Sequence, residues 1–128
     1  MKLASTIARY LLGLIFTIFG LNGFFPFIPQ TMPASPLAVQ YLTVMSGSHY
    51  MVLVFLIQLA AGLLLLLNRY VPLALVLLGP VLVNILLFHG LMDPANIGPG
   101  VLATILWILV FLRVQSAFRG IFQASTPD

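Results

Sequence analysis

The stretch NRYVPLALVLLGPVLVNILLFHG, residues 68–90, decides how the chain is read. It opens on a polar tripeptide, then runs through Leu and Val for long enough to cross a hydrocarbon core of about 30 Å. Pro72 suits a first helical turn, where no intrahelical donor is lost. Pro80 sits in the interior, removes a donor and frees the carbonyl of Val76, so a kink is expected near the middle. Asn84, four residues on, shares Pro80's face and is placed to mend that break or to reach Gln58 on another helix. His89 follows by a further step of about 140° and about 7.5 Å, so its side chain diverges from that of Asn84. In a bilayer each of these polar groups needs a partner inside the protein or a purpose.

Outward from this stretch the composition is of one kind. Of 128 residues, 62% are hydrophobic and 5% charged, and the mean hydropathy is +1.18. That is far from a soluble domain and marks an integral membrane protein. The formal net charge of +3 rests on so few charges that a nucleic-acid surface is excluded. With no cysteine, the chain itself offers no disulfide, no thiol redox chemistry and no thiolate ligand. The basic, then apolar, N-terminal stretch has the outline of a signal peptide, but its run from Tyr10 to Phe25 is of spanning length and no small-x-small site follows directly, so a first transmembrane helix is expected.

Apolar segments over residues 5–24, 49–67, 71–91 and 98–118 predict an all-α, four-helix transmembrane bundle, a single integral membrane domain over 1–128. Lys2, Arg9, Arg69, Arg113 and Arg119 all fall on one side of that arrangement, which under the positive-inside rule places both termini in the cytoplasm. The longest outer connection begins PFIPQTMPASP, which its prolines keep out of regular helix. After it, Ser35 can cap and Pro36 can open a short amphipathic helix over 36–46, with Gly47 as its stop, lying on the outer interface. In DPANIGPG, Asp93 can cap a short turn opened by Pro94.

The polar residues fall into two groups. Thr6, Gly13, Thr17 and Gly20 share one face of the first helix, a packing seam. Gln58, near the bilayer centre, shares its face with Ala61, Gly62 and Leu65 and is expected to meet another helix, with an interhelical hydrogen bond as the simplest role and a ligand contact as the other. Asn22, His49, Asn84, His89 and Asp93 lie in the outer half. For Asn22 a structural account is available, with Gly23 in the left-handed position that ends a helix.

Several chemistries compete for the outer cluster. Asp93, four residues beyond His89, would orient the imidazole for proton shuttling. Haem ligation by His49 and His89 is disfavoured because both lie at the boundary rather than facing each other at mid-helix. No metal site is expected, since neither HxxxH nor ExxH spacing occurs, and retinal-type chemistry lacks a lysine at depth. An apolar slot with a few polar groups fits a lipid-soluble ligand such as a quinone best.

ARYLLGLIFTIFGLNGFFPFIP, residues 8–29, and the segment quoted at the outset resemble the DoxX family of small four-helix bacterial membrane proteins. The likeness covers Ala8 to about Pro94. It implies a four-helix bundle in the bacterial inner membrane and an association with redox assemblies, such as a subunit of a thiosulfate:quinone oxidoreductase or a membrane partner of oxidative-stress enzymes. It supplies no catalytic residue set. The expectation is thus a membrane subunit, or a partner of a soluble or membrane redox protein, that holds a quinone or lipid in the outer half. Asn84 and His89 would contact it, with Gln58, Asn22 and His49 nearby. Any redox turnover would need a bound cofactor or partner. A homo-oligomer is compatible with this reading, and the alternative is a scaffold or assembly factor without a ligand.

Overall fold

The computed structural model describes residues 2–127. They form helices α1 (Lys2–Phe24), α2 (Pro36–Gly47), α3 (Met51–Leu67), α4 (Val71–Met92) and α5 (Gly98–Val114). A short 3₁₀ turn covers Pro94–Asn96, a 3₁₀ stretch covers Gln115–Phe122, and the described residues contain no strand. Three helical segments are long and apolar enough to cross a membrane: α1, α4, and α5 with its 3₁₀ continuation. The bent pair α2 and α3 makes a fourth if counted as one broken span.

Local chemistry sets the boundaries. Ser35 is the N-cap of α2, its side chain accepting the Ala38 N–H at 3.4 Å with Pro36 in the first turn, and the helix ends at Gly47 as expected. Between α3 and α4, Asn68 and Tyr70 both take left-handed backbone, φ 54° and 50°, so the chain reverses in a few residues. Two boundaries differ from expectation. The second apolar helix begins at Met51 rather than 49, because His49 adopts φ 60° in the joint where α2 meets α3 at 86°. The last α-helix stops at Val114 rather than 118 and tightens into the 3₁₀ stretch. That stretch turns Phe118 into the core, against Phe111 at 5.1 Å between ring centres.

The four long helices form a ring in which α1 packs on α3, α3 on α4, α4 on α5 and α5 back on α1. Neighbours run antiparallel: Gly13 lies beside Leu66 and Gly20 beside Leu59, while Gly100 lies beside Ile85. The α1–α3 contact is the closest. A Cβ on Gly20 would stand 2.7 Å from the backbone nitrogen of Leu59, and one on Gly62 2.6 Å from that of Thr17. Missing side chains therefore let the two backbones touch, which is how helices associate where lipid removes the usual hydrophobic drive. Of the face expected from Thr6, Gly13, Thr17 and Gly20, the last three form this seam, while Thr6 is exposed and donates its hydroxyl to the Lys2 carbonyl. Gln58, Ala61, Gly62 and Leu65 are buried together on α3 as anticipated.

At the core, Leu12, Leu65, Leu75, Leu78 and Val110 are fully buried. Trp107 donates its indole N–H to the Leu75 carbonyl at 3.0 Å, tying α5 to α4, and its ring stacks on Phe111. Arg9 donates to the Leu65 carbonyl in the last turn of α3, where a cation favours the helix dipole. The outward faces are apolar too: Leu53, Leu73, Val83 and Ile105 are exposed, as expected of a surface meeting lipid rather than water. With this order, Lys2, Arg9, Arg69, Arg113 and Arg119 lie toward one end of the bundle, the basic end. The opposite end carries residues 25–35, α2 and Asp93, and is called the loop end below.

Candidate functional site

At the loop end the helices do not close on one another. They leave a half-open cavity of about 880 Å³, within the range of small-molecule sites. Its walls are chiefly apolar, with Phe16 and Phe19 from α1, Phe55 from α3, Ile85 from α4, Ala103 from α5, and Phe27 from the strap formed by residues 25–35. Six polar side chains line it: Asn22 from α1, Gln58 from α3 and His89 from α4, with Gln30 from the strap, Ser46 from α2 and Asn96 from the 3₁₀ turn.

Asn22, near the end of α1, accepts the backbone N–H groups of Phe27 and Ile28 on its Oδ1 at 2.9 and 2.8 Å. This amide pins the strap, whose Pro26 and Pro29 deny it regular structure of its own. The expected left-handed Gly23 is corrected: no described glycine has positive φ, and α1 continues through Gly23 to Phe24. Gly23 is small because the Phe55 ring occupies the space its Cβ would need. With Oδ1 engaged, the NH₂ of Asn22 has no partner among the described residues.

Gln58 is 6% exposed, yet its amide makes no hydrogen bond to a described residue. The interhelical bond that would give it a purely structural role is not formed. Its polar atoms are not among the buried unpartnered ones, which among the described residues are Thr17 Oγ1 and His89 Nδ1, so the amide is open to a molecule in the cavity.

His89 reaches the wall from the last turn of α4. Its Nδ1 is buried without a hydrogen-bond partner, 3.8 Å from Oδ2 of Asp93, too long for a hydrogen bond but close for a charge. Asp93 stands at the start of the following 3₁₀ turn, but its side chain caps no backbone N–H. Its two oxygens instead accept from the Asn96 amide at 3.1 and 2.9 Å, which orients the carboxylate toward the histidine's turn.

The other two expected members stand apart. Asn84 is exposed on the outside of α4, and its amide donates at 3.0 Å to the carbonyl of Pro80, its own helical neighbour. It meets neither the cavity nor Gln58, and the carbonyl it caps is that of Pro80, not that of Val76. His49 opens on a separate cavity of about 170 Å³ between the end of α2 and the start of α3. The left-handed joint turns it away from His89, so the two histidines share no site. The strap and the aromatic wall of Phe16, Phe19, Phe27 and Phe55 were not singled out by the sequence reading. A signal for the strap was available in the asparagine placed just before PFIP.

Comparison with family models, curated proteins and solved structures gave no match. Fold and site together define an all-helical chain with helices long and apolar enough for a multi-pass membrane protein, holding a cavity with polar groups at the end away from its basic residues.

Proposed function

We propose that the chain is a DoxX-like protein of the bacterial inner membrane, with both termini cytoplasmic, that binds a small hydrophobic molecule, a quinone or a lipid, in the cavity at the loop end. The orientation follows from the gathering of the five basic residues at the opposite end. In that setting α2 and the strap lie at the outer interface, above the ligand.

The observation that carries the reading is Gln58, a largely buried residue whose amide bonds to no described residue and opens on a cavity with chiefly apolar walls. An amide left without a protein partner there is one that a ligand can bond. Asn22 and His89 bring further polar atoms to the same space, and together they hold and orient a head group while the phenylalanines take its apolar body. Because the chain has no cysteine, electron transfer in such a complex would belong to the bound molecule or to a partner subunit.

The test is mass spectrometry of small molecules extracted from the detergent-purified protein, with its absorption spectrum. A quinone or lipid retained in stoichiometric amount by the native chain, and lost from Gln58→Leu with helical content unchanged, is expected. An empty extract, and equal behaviour of the two proteins in reconstituted complexes, overturns the proposal in favour of a scaffold or assembly factor without a ligand.

A further inference from the structure

Of the polar side chains in the wall, Gln30 and Ser46 can donate or accept and the Asn96 amide is bonded to Asp93, so the directional constraint on a head group comes from Asn22, Gln58 and His89. Asn22 has its oxygen engaged by the strap, so it offers only N–H donors. Gln58 offers a free amide. His89 is constrained by what lies behind it. A lone pair on buried Nδ1 would face the Asp93 carboxylate with no donor between them, whereas a proton there faces the negative charge favourably. In the neutral ring this arrangement puts the proton on Nδ1 and leaves Nε2 as an acceptor. No charged side chain lines the cavity, and the nearest charge, Asp93, repels anions. Four phenylalanines make the wall aromatic.

We propose that the cavity selects a neutral, hydroxyl-bearing aromatic head group of the phenol or hydroquinone class, its hydroxyl donating to Nε2 of His89 and its remaining oxygen accepting from Asn22 or Gln58. Asp93 acts as a positioning residue that holds the histidine in the accepting tautomer. Fatty acids and phospholipids, whose heads are anionic, are disfavoured. This rests on the cavity being the ligand site, as proposed above.

The experiment measures binding of three probes to the full chain in neutral detergent: decyl-hydroquinone kept reduced, its di-O-methyl ether, and palmitate. Hydroquinone is expected to bind about tenfold more tightly than the ether, the worth of one hydrogen bond, and palmitate more weakly than either. His89→Leu should abolish the preference for hydroquinone over ether while ether binding persists, and Asp93→Asn should reduce it. Nitrogen-15 NMR of labelled histidine supplies a readout that does not depend on a variant folding. The chain has two histidines, so His49→Gln assigns the signals. His89 should show a protonated Nδ1, with the Nε2 resonance moving on addition of hydroquinone and not of ether. Equal binding of hydroquinone and ether, preference for palmitate, or a proton on Nε2 overturns the inference and leaves the ligand site standing. Failure of all three probes to bind overturns both.

Discussion

Helix α1 meets α3 along one face and the cavity along another, and the two faces are made differently. Toward α3, Gly13 and Gly20 present no side chain, and the facing backbone fills the room they leave. Toward the cavity, Ile15, Phe19 and Asn22 present full side chains to open space, Asn22 meeting only the strap through its oxygen. The same helix is thus over-determined on one side and under-filled on the other. Apolarity does not separate the two, since both faces lie in a chain that is apolar throughout. What separates them is side-chain volume and its complement on the neighbour.

The sharpest way to break this comparison is to add carbon to each face. Gly62→Val places a Cβ against the backbone of Thr17, which has no rotamer to escape into, and should cost about 3 kcal/mol or more. The measurement is loss of helical signal on heating in detergent. Ile15→Phe, which adds bulk on the cavity face, should cost under about 1 kcal/mol in the same assay because the space is free. Similar losses in both would mean that the faces do not differ.

Asn22→Leu comes next. Removing the acceptor of two strap N–H groups should cost about 1–3 kcal/mol locally, and hydrogen exchange at Phe27 and Ile28 should quicken by about tenfold or more while core amides stay protected. A strap unchanged in exchange would show that its prolines hold it without help. Trp107→Phe, which deletes the single α5–α4 side-chain bond to Leu75, should lower stability by about 0.6 kcal/mol, the usual worth of an interhelical hydrogen bond in a membrane. The smallest effect belongs to Asn84→Leu. The side chain is exposed and bonds only within its own helix, so stability should change by no more than about 0.5 kcal/mol and ligand retention not at all.

Much of the fold was legible because membrane helices announce themselves by length. The first, third and fourth apolar segments, the loop helix opened by Ser35 and Pro36, and the glycine seam of α1 all follow from spacing and residue size. The site was legible only in part. Gln58 and His89 could be placed at depth by counting residues, but Asn84 and His49 could be placed no better. Which way a polar side chain turns depends on azimuth, and azimuth is lost wherever the backbone departs from ideal helix. At Asn84 the nearby carbonyl of Pro80 satisfies the amide on the helix's own surface. At His49 a left-handed residue redirects the chain. Asn22 was expected to serve at a helix end, and it does serve the chain there, but by reaching five and six residues forward to the strap rather than through Gly23.

The break at His49 has a consequence for the surrounding bilayer. Helix α3 has 17 residues. At 1.5 Å each they rise about 25 Å, some 5 Å less than a hydrocarbon core of about 30 Å. In a bilayer of that thickness, local thinning, a tilt of the bundle or flanking side chains reaching outward would close such a gap, each ångström of mismatch carrying a small elastic cost. The helix that turns aside at 86° adjoins the shortened end, so the same bend supplies apolar side chains, Leu37 and Val44 among them, where α3 runs out.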